Sequence, residues 1–193
     1  AGLLKASIDA NDIRIAYEYD PTNRVLKRIV DPTSYTTPTG TVINKANALN
    51  LVTSYTYNAF GDNATITDGN GVVTEMAYDL KGRQSAVIVD TAGLKIATVY
   101  AYDADANRLE VKEGILATGS AGNWNVSGTA TRTTRYEYDT EGRRTRDVVD
   151  PLSLSLTNSY EYDKSGNLTR KRDAENYNTW YTYDAKNRLI YTV

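Results

Sequence analysis

One short pattern restricts this chain more than any other feature, because it returns seven times. Its clearest copy is Tyr136-Glu137-Tyr138-Asp139-Thr140-Glu141-Gly142-Arg143. The second tyrosine of the pattern falls at Tyr19, Tyr57, Tyr78, Tyr102, Tyr138, Tyr162 and Tyr183. A tyrosine also stands two residues earlier in every unit but one, where Met76 replaces it. Asp follows as Asp20, Asp79, Asp103, Asp139, Asp163 and Asp184, with Asn58 in the second unit. Self-similarity at this spacing overrides residue-by-residue propensity, since each copy is one supersecondary unit that needs its neighbours to cover it.

The residues around each copy predict a hairpin. Before the turn, apolar and aromatic residues alternate with polar ones, as in Ile13, Ile15, Tyr17 and Tyr19 against Arg14, Ala16 and Glu18. The runs Leu94 to Tyr102 and Leu154 to Tyr162 repeat this period of two, the mark of a strand with one covered face. Asp or Asn at the turn can accept a backbone N–H two residues on. Three residues later stand Gly61, Gly82, Gly142 and Gly166, with Asn23 and Asn187 in two other units. Both types tolerate positive φ, so the pattern describes a type I turn closed by a left-handed residue. In the fourth unit Asn107 lies four residues after Asp103, which predicts a turn one residue longer. A return strand follows, then a second reversal marked by Asp31-Pro32, Asp68-Gly69, Asp90 with Gly93, and Asp150-Pro151.

The expected architecture is therefore all-β: tandem antiparallel hairpins in one continuous, strongly twisted or spiralling sheet, a fragment of a β-shell. Residues 1–193 read as a single array of about seven hairpins, truncated at both ends, with inserts near 33–50 and 114–131. About 14 strands at ~4.8 Å spacing would form a ribbon that curls, since open sheets rarely exceed ~10 strands flat. Gly2 and Asp9 keep the spacing of Gly61 and Asp68, so residues 1–9 resemble a return strand without its partner. Exposed edges at both ends predict self-association.

Composition removes most chemistry. The chain has no cysteine and no histidine. No disulfide or thiolate is available, and the usual general base near neutral pH and the commonest metal ligand are missing. A net charge of −2 with mixed signs gives no footprint for nucleic acid, and no apolar run spans a bilayer. Sixteen tyrosines against one phenylalanine suit half-wet sheet faces. No cofactor or metal is expected. Asp103-Ala104-Asp105 resembles the start of a calcium loop, but Arg108 and Gly114 stand where that loop needs Gly and Glu.

The pattern resembles the YD repeat of Rhs proteins, a family of bacterial polymorphic toxins, shell-forming subunits of insecticidal toxin complexes, and animal teneurins. Tyr78-Asp79-Leu80-Lys81-Gly82-Arg83 and Tyr183-Asp184-Ala185-Lys186-Asn187-Arg188 carry the resemblance nearly as well as 136–143. Departures at Asn58, Asp62 and Asn167 affect single units. The resemblance implies hairpins spiralling into a hollow shell around a C-terminal toxic polypeptide. In bacterial members a core after the repeats cleaves itself through aspartates, and no stretch here resembles that core.

Function follows as an expectation: a non-enzymatic scaffold or shell segment of a secreted or surface bacterial toxin. Its partners would be the remaining repeats and the C-terminal toxin of the parent protein. The alternative is an adhesion module binding carbohydrate or protein. The repeated tyrosines could stack sugars, but recurrence in every unit favours packing across strands. Arg24, Arg83, Arg108, Arg143 and Arg188 could bind anions, and stacking on tyrosines or pairing with the turn aspartates accounts for them better. Trp124, in a Gly-, Ala-, Ser- and Thr-rich insert, is the candidate binding residue; the plainer reading has it plug the open side of the sheet.

Overall fold

A computed structural model describes residues 6–8, 13–36 and 39–193. Alternation and turn chemistry produce strands wherever the repeat predicts them. The strands are β1 (Ala6–Ile8), β2 (Arg14–Tyr19), β3 (Val25–Val30), β4 (Ser34–Thr36), β5 (Val42–Asn44), β6 (Leu51–Tyr57), β7 (Asn63–Thr67) and β8 (Val73–Tyr78). They continue as β9 (Gln84–Val89), β10 (Ile96–Tyr102), β11 (Arg108–Leu116), β12 (Thr118–Ser120), β13 (Asn123–Asn125) and β14 (Arg132–Tyr138). The last five are β15 (Arg144–Val149), β16 (Leu156–Tyr162), β17 (Leu168–Arg172), β18 (Asn178–Tyr183) and β19 (Leu189–Thr192).

Fifteen of these strands are hydrogen-bonded in sequence order from β1 to β19, skipping only the pairs β4–β5 and β12–β13. That order never returns to its start, so the sheet is open. Of the unpartnered return strand expected over residues 1–9, Ala6–Ile8 pairs with β2, and Gly2 and Asp9 lie outside the described residues.

The chain divides into two compact units. The first holds the described residues up to Gly82, with Val87–Ile96 and Gly119–Trp124. The second holds Arg83–Ala86, Ala97–Thr118 and Asn125–Val193. In the first, Glu18 opposes Lys27 and Thr56 opposes Thr65, away from the tyrosine face. Glu137 against Arg146 and Glu161 against Arg170 repeat this complementarity in the second. These pairs are solvent-exposed, so they set register more than they stabilise.

Among the described residues few side chains are fully buried: Ile88 in the first unit and Ala97 and Ile115 in the second, all 0% exposed. Ala86, Val111, Ala117 and Val148 extend the buried set of the second unit.

Two sequence expectations need correction. The fourth turn is not longer than the others, because Ala106 takes positive φ (69°) and the Ala106 N–H bonds to the Asp103 carbonyl. The strands expected to begin at Leu94 and Leu154 begin two residues later, at Ile96 and Leu156. Positive φ at Lys95 (55°) and Ser155 (52°) closes each preceding reversal first. Both inserts carry strands of their own. β4 and β5 form a hairpin within the first, and within the second β11 runs on to Leu116 before the short β12–β13 pair.

Candidate functional site: the contacts between successive turns

Every turn of the repeat is tied by its first residue. The Asp20 Oδ1 atom accepts the N–H groups of Thr22 (2.8 Å) and Arg24 (3.0 Å). Asp139 does the same with Glu141 and Arg143, and Asp184 with Lys186 and Arg188. Asp103 and Asp163 hold their turns through the residues two and four further on. Asp79 accepts the Lys81 N–H, and Gly82 takes φ of 77°. Left-handed φ at Gly61, Gly142 and Gly166 closes the corresponding turns, a conformation that costs Gly nothing. A bulge follows, so that Tyr138 opposes Arg144.

The residue four after the aspartate bonds back to it with its side chain. The Nε of Arg24, Arg143 and Arg188 each lies 2.7 Å from Oδ2 of Asp20, Asp139 and Asp184. Asn107 and Asn167 replace arginine, each donating to its aspartate at 2.9 Å. The second unit inverts the pair: the Asn58 amide donates to Asp62 at 3.1 Å.

These bonds hold the turn carboxylates ionised. Asp20 is pulled far below the usual range, first by the Arg24 N–H, with Thr22 and the guanidinium adding and burial opposing. Asp163 is lowered chiefly by the Asn167 amide, and Asp184 by the Arg188 N–H. At Asp139 burial raises the carboxyl, and the Arg143 N–H and guanidinium together outweigh it.

Tyrosine and arginine side chains then link each hairpin to its neighbours. The Tyr57 hydroxyl donates to the Val25 carbonyl at 2.7 Å, and Tyr78 to Asn63 at 2.8 Å. In the second unit Tyr102 donates to Gln84, Tyr138 to Arg108 and Tyr162 to Arg144. Each acceptor is the first residue after the preceding turn. Running the other way, the guanidiniums of Arg24, Arg83 and Arg143 sit over the rings of Tyr57, Tyr102 and Tyr162, 4.5, 4.7 and 4.9 Å from the centroids. Arg83 and Arg143 also donate Nη1 to the carbonyls of Asp103 and Asp163. Arg108 differs: it covers Tyr100, in its own hairpin. In the first copy the Tyr17 and Tyr19 rings lie 6.4 Å apart within one strand, and in the last copy Arg188 is mostly exposed.

Trp124 lies half-buried on β13, with the Lys95 ammonium 5.7 Å from its ring. Nearby the Gly122 N–H donates to Glu75 at 2.6 Å, fastening the tip of the second insert to β8. Gly119 is obligatory there, because a Cβ would stand 2.3 Å from the Asn123 carbonyl oxygen. Sequence reasoning missed a second polar cluster: Asp147, buried at 8% exposure, accepts the Asn158 amide at 2.8 Å. Burial, with a bond to Asp147, pushes Tyr160 up to about 12. The unusual Asp opposite Tyr136, where other units place Arg28, Ile66 or Lys171, was its only signal. Among the described residues no cluster of carboxylates could hold a metal ion.

Turns of one chemistry, linked hairpin to hairpin by Tyr and Arg, agree with a family model. The model of the teneurin YD-shell matches residues 62–192, more than half of the chain. The chain belongs to the YD-shell family. Solved structures give the same fold. A crystal structure of TcdB2-TccC3-Cdc42 matches with a TM-score of 0.65, and the Photorhabdus luminescens Tc holotoxin pore with 0.67, each at 20% identity. Both matches cover 93% of this chain and 9% of the other, so this YD-shell chain spans about a tenth of those proteins. No curated protein matches by sequence.

Proposed function

We propose that this chain is a non-enzymatic segment of a YD-shell wall, belonging to a secreted or surface bacterial toxin and enclosing or presenting a C-terminal effector. The observation that carries this reading is the double link between successive hairpins, in which tyrosine hydroxyls point one way along the array and arginine guanidiniums the other. Regular links of this kind make a wall that extends by nearest-neighbour contacts. The polar residues that an enzyme would need are used up in turn geometry. The partners are then further repeats and the effector of the same parent polypeptide. The motif residues Tyr57, Tyr78, Tyr102, Tyr138 and Tyr162, with the turn residue that follows each, serve as structural staples.

Limited proteolysis of the full parent protein tests the proposal. The C-terminal segment is expected to resist protease in the intact protein and to be cut once Tyr138→Phe, Tyr162→Phe and Arg143→Ala are combined. An effector segment cut equally fast in both proteins would rule enclosure out. Adhesion predicts instead that a glycan array returns hits abolished by Trp124→Ala. Lys95 beside the Trp124 ring argues against that outcome.

A further inference from the structure

One link in the first unit is missing its arginine. Where Arg24, Arg83 and Arg143 stand, a guanidinium lies on the next tyrosine ring. Between the second and third turns the equivalent residue is Asp62, and no cation covers the Tyr78 ring among the described residues. Asp62 uses Oδ2 to accept from Asn58, which leaves Oδ1 without a hydrogen-bond partner among the described residues. The cleft there is large, about 740 Å³, against about 360 Å³ where Arg143 fills the equivalent space.

Its rim also departs from the repeat. Phe60 is 93% exposed and Leu80 fully exposed, on the tips of the two turns that flank the cleft. Other tips carry polar or small residues: Thr22, Asp105, Glu141, Ser165 and Lys186. The cleft below Tyr138 also lacks an arginine, at Asn107, but its turn tips are the polar Asp105 and Glu141, with Leu109 as its apolar side chain. Asp62 lines this Phe60–Leu80 cleft together with the Tyr78 ring.

We infer that the cleft between Asn58–Asp62 and Asp79–Gly82 binds an arginine side chain supplied by a separate polypeptide segment. The arginine takes the position that the repeat fills from within elsewhere. The guanidinium stacks on Tyr78 and pairs with Asp62, and apolar neighbours of the arginine lie against Phe60 and Leu80. Arginine fits better than lysine because its planar head both stacks and bonds in a fork.

The test is a titration of the protein with acetyl-Leu-Arg-Leu-amide, followed by NMR signals of Phe60 and Tyr78. Peptides with citrulline or lysine at the centre are the controls. The arginine peptide is expected to saturate, with citrulline about tenfold weaker or worse. No saturation, or citrulline equal to arginine, would overturn the inference. The double variant Asn58→Asp/Asp62→Arg installs the Asp–Arg turn used elsewhere, and it should fold while losing the response. Should that variant not fold, Phe60→Ser/Leu80→Ser leaves the turn bonds in place and is expected to weaken binding about tenfold. Unchanged affinity in either folded variant defeats the proposal.

Discussion

The two ends of each hairpin reverse the chain with different chemistry. At the tyrosine end all seven turns have one length. Asp163, for example, bonds Asn167 and Ser165, and both strands leave in fixed register. At the other end, apart from the reversal that carries the second insert, two designs occur. Asp68 and Asp173 build the same compact turn as the tyrosine end. Asp31, Asp90 and Asp150 instead take positive φ themselves, at 52°, 56° and 49°. Each of these three accepts, on its carbonyl, the N–H of a second positive-φ residue: Asn50, Lys95 and Ser155. In two of them that residue lies five positions on, and in the first it lies nineteen on, with the β4–β5 hairpin between. Length is held constant where side chains must meet those of the next hairpin. It varies at the other end, where Asp31, Asp90 and Asp150 close the reversal on their own carbonyls.

The strongest way to break this contrast is insertion. One glycine between Glu141 and Gly142 should cost roughly 2 kcal/mol or more, because the aspartate bonds and the stacking of Arg143 on Tyr162 all lose register. The same glycine between Leu152 and Ser153 should cost well under ~1 kcal/mol. Equal losses in thermal or denaturant unfolding would erase the distinction. Next in size is Trp124→Ala, expected to cost about 1–2 kcal/mol from its half-buried ring. That loss places the second insert among parts that hold the fold, and a change within experimental error would return it to the surface.

Removal of single hydroxyls sharpens the comparison further. Tyr162→Phe should lose about 1 kcal/mol, since its hydroxyl donates to the Arg144 carbonyl. Tyr183→Phe should change almost nothing. Its hydroxyl has no hydrogen-bond partner among the described residues. The smallest effect is expected from mild pH change. With no histidine in the chain, stability should stay flat from about pH 5 to 8. The turn aspartates are depressed in the folded state, so they bind protons less readily than in the unfolded chain. Their contribution is complete above the unfolded value near ~3.9 and is lost as pH falls below it. Tyr160 acts in the opposite sense: raised to about 12, it stabilises below ~10 and stops doing so as pH climbs through that window. Thermal unfolding measured across pH checks both limbs.

Period and turn residues made the all-β array legible from sequence, down to the left-handed Gly61, Gly82, Gly142, Gly166, Asn23 and Asn187. Those signals are local, because an Asx-type turn depends on residues two to four apart. The links between hairpins were not readable in the same way. Arg143 could be assigned to stacking or to aspartate pairing, and the structure has it doing both, with Tyr162 at one side and Asp139 at the other. Register between units 21 to 38 residues apart decides that, and no short window contains it. Strand starts at Leu94 and Leu154 misled for a related reason. Positive φ at Lys95 and Ser155 is imposed by the carbonyls of Asp90 and Asp150, and neither residue type advertises it.

The bracket formed by Asp31 and Asn50 works as a socket. Its two gripping bonds, Asn50 N–H to the Asp31 carbonyl and Leu49 N–H to Asp31 Oδ2, recur as Lys95 and Leu94 on Asp90 with nothing between them to hold. Foreign peptides grafted between Thr91 and Gly93 should therefore be displayed much as β4–β5 is, at a closure penalty that grows only slowly with their length.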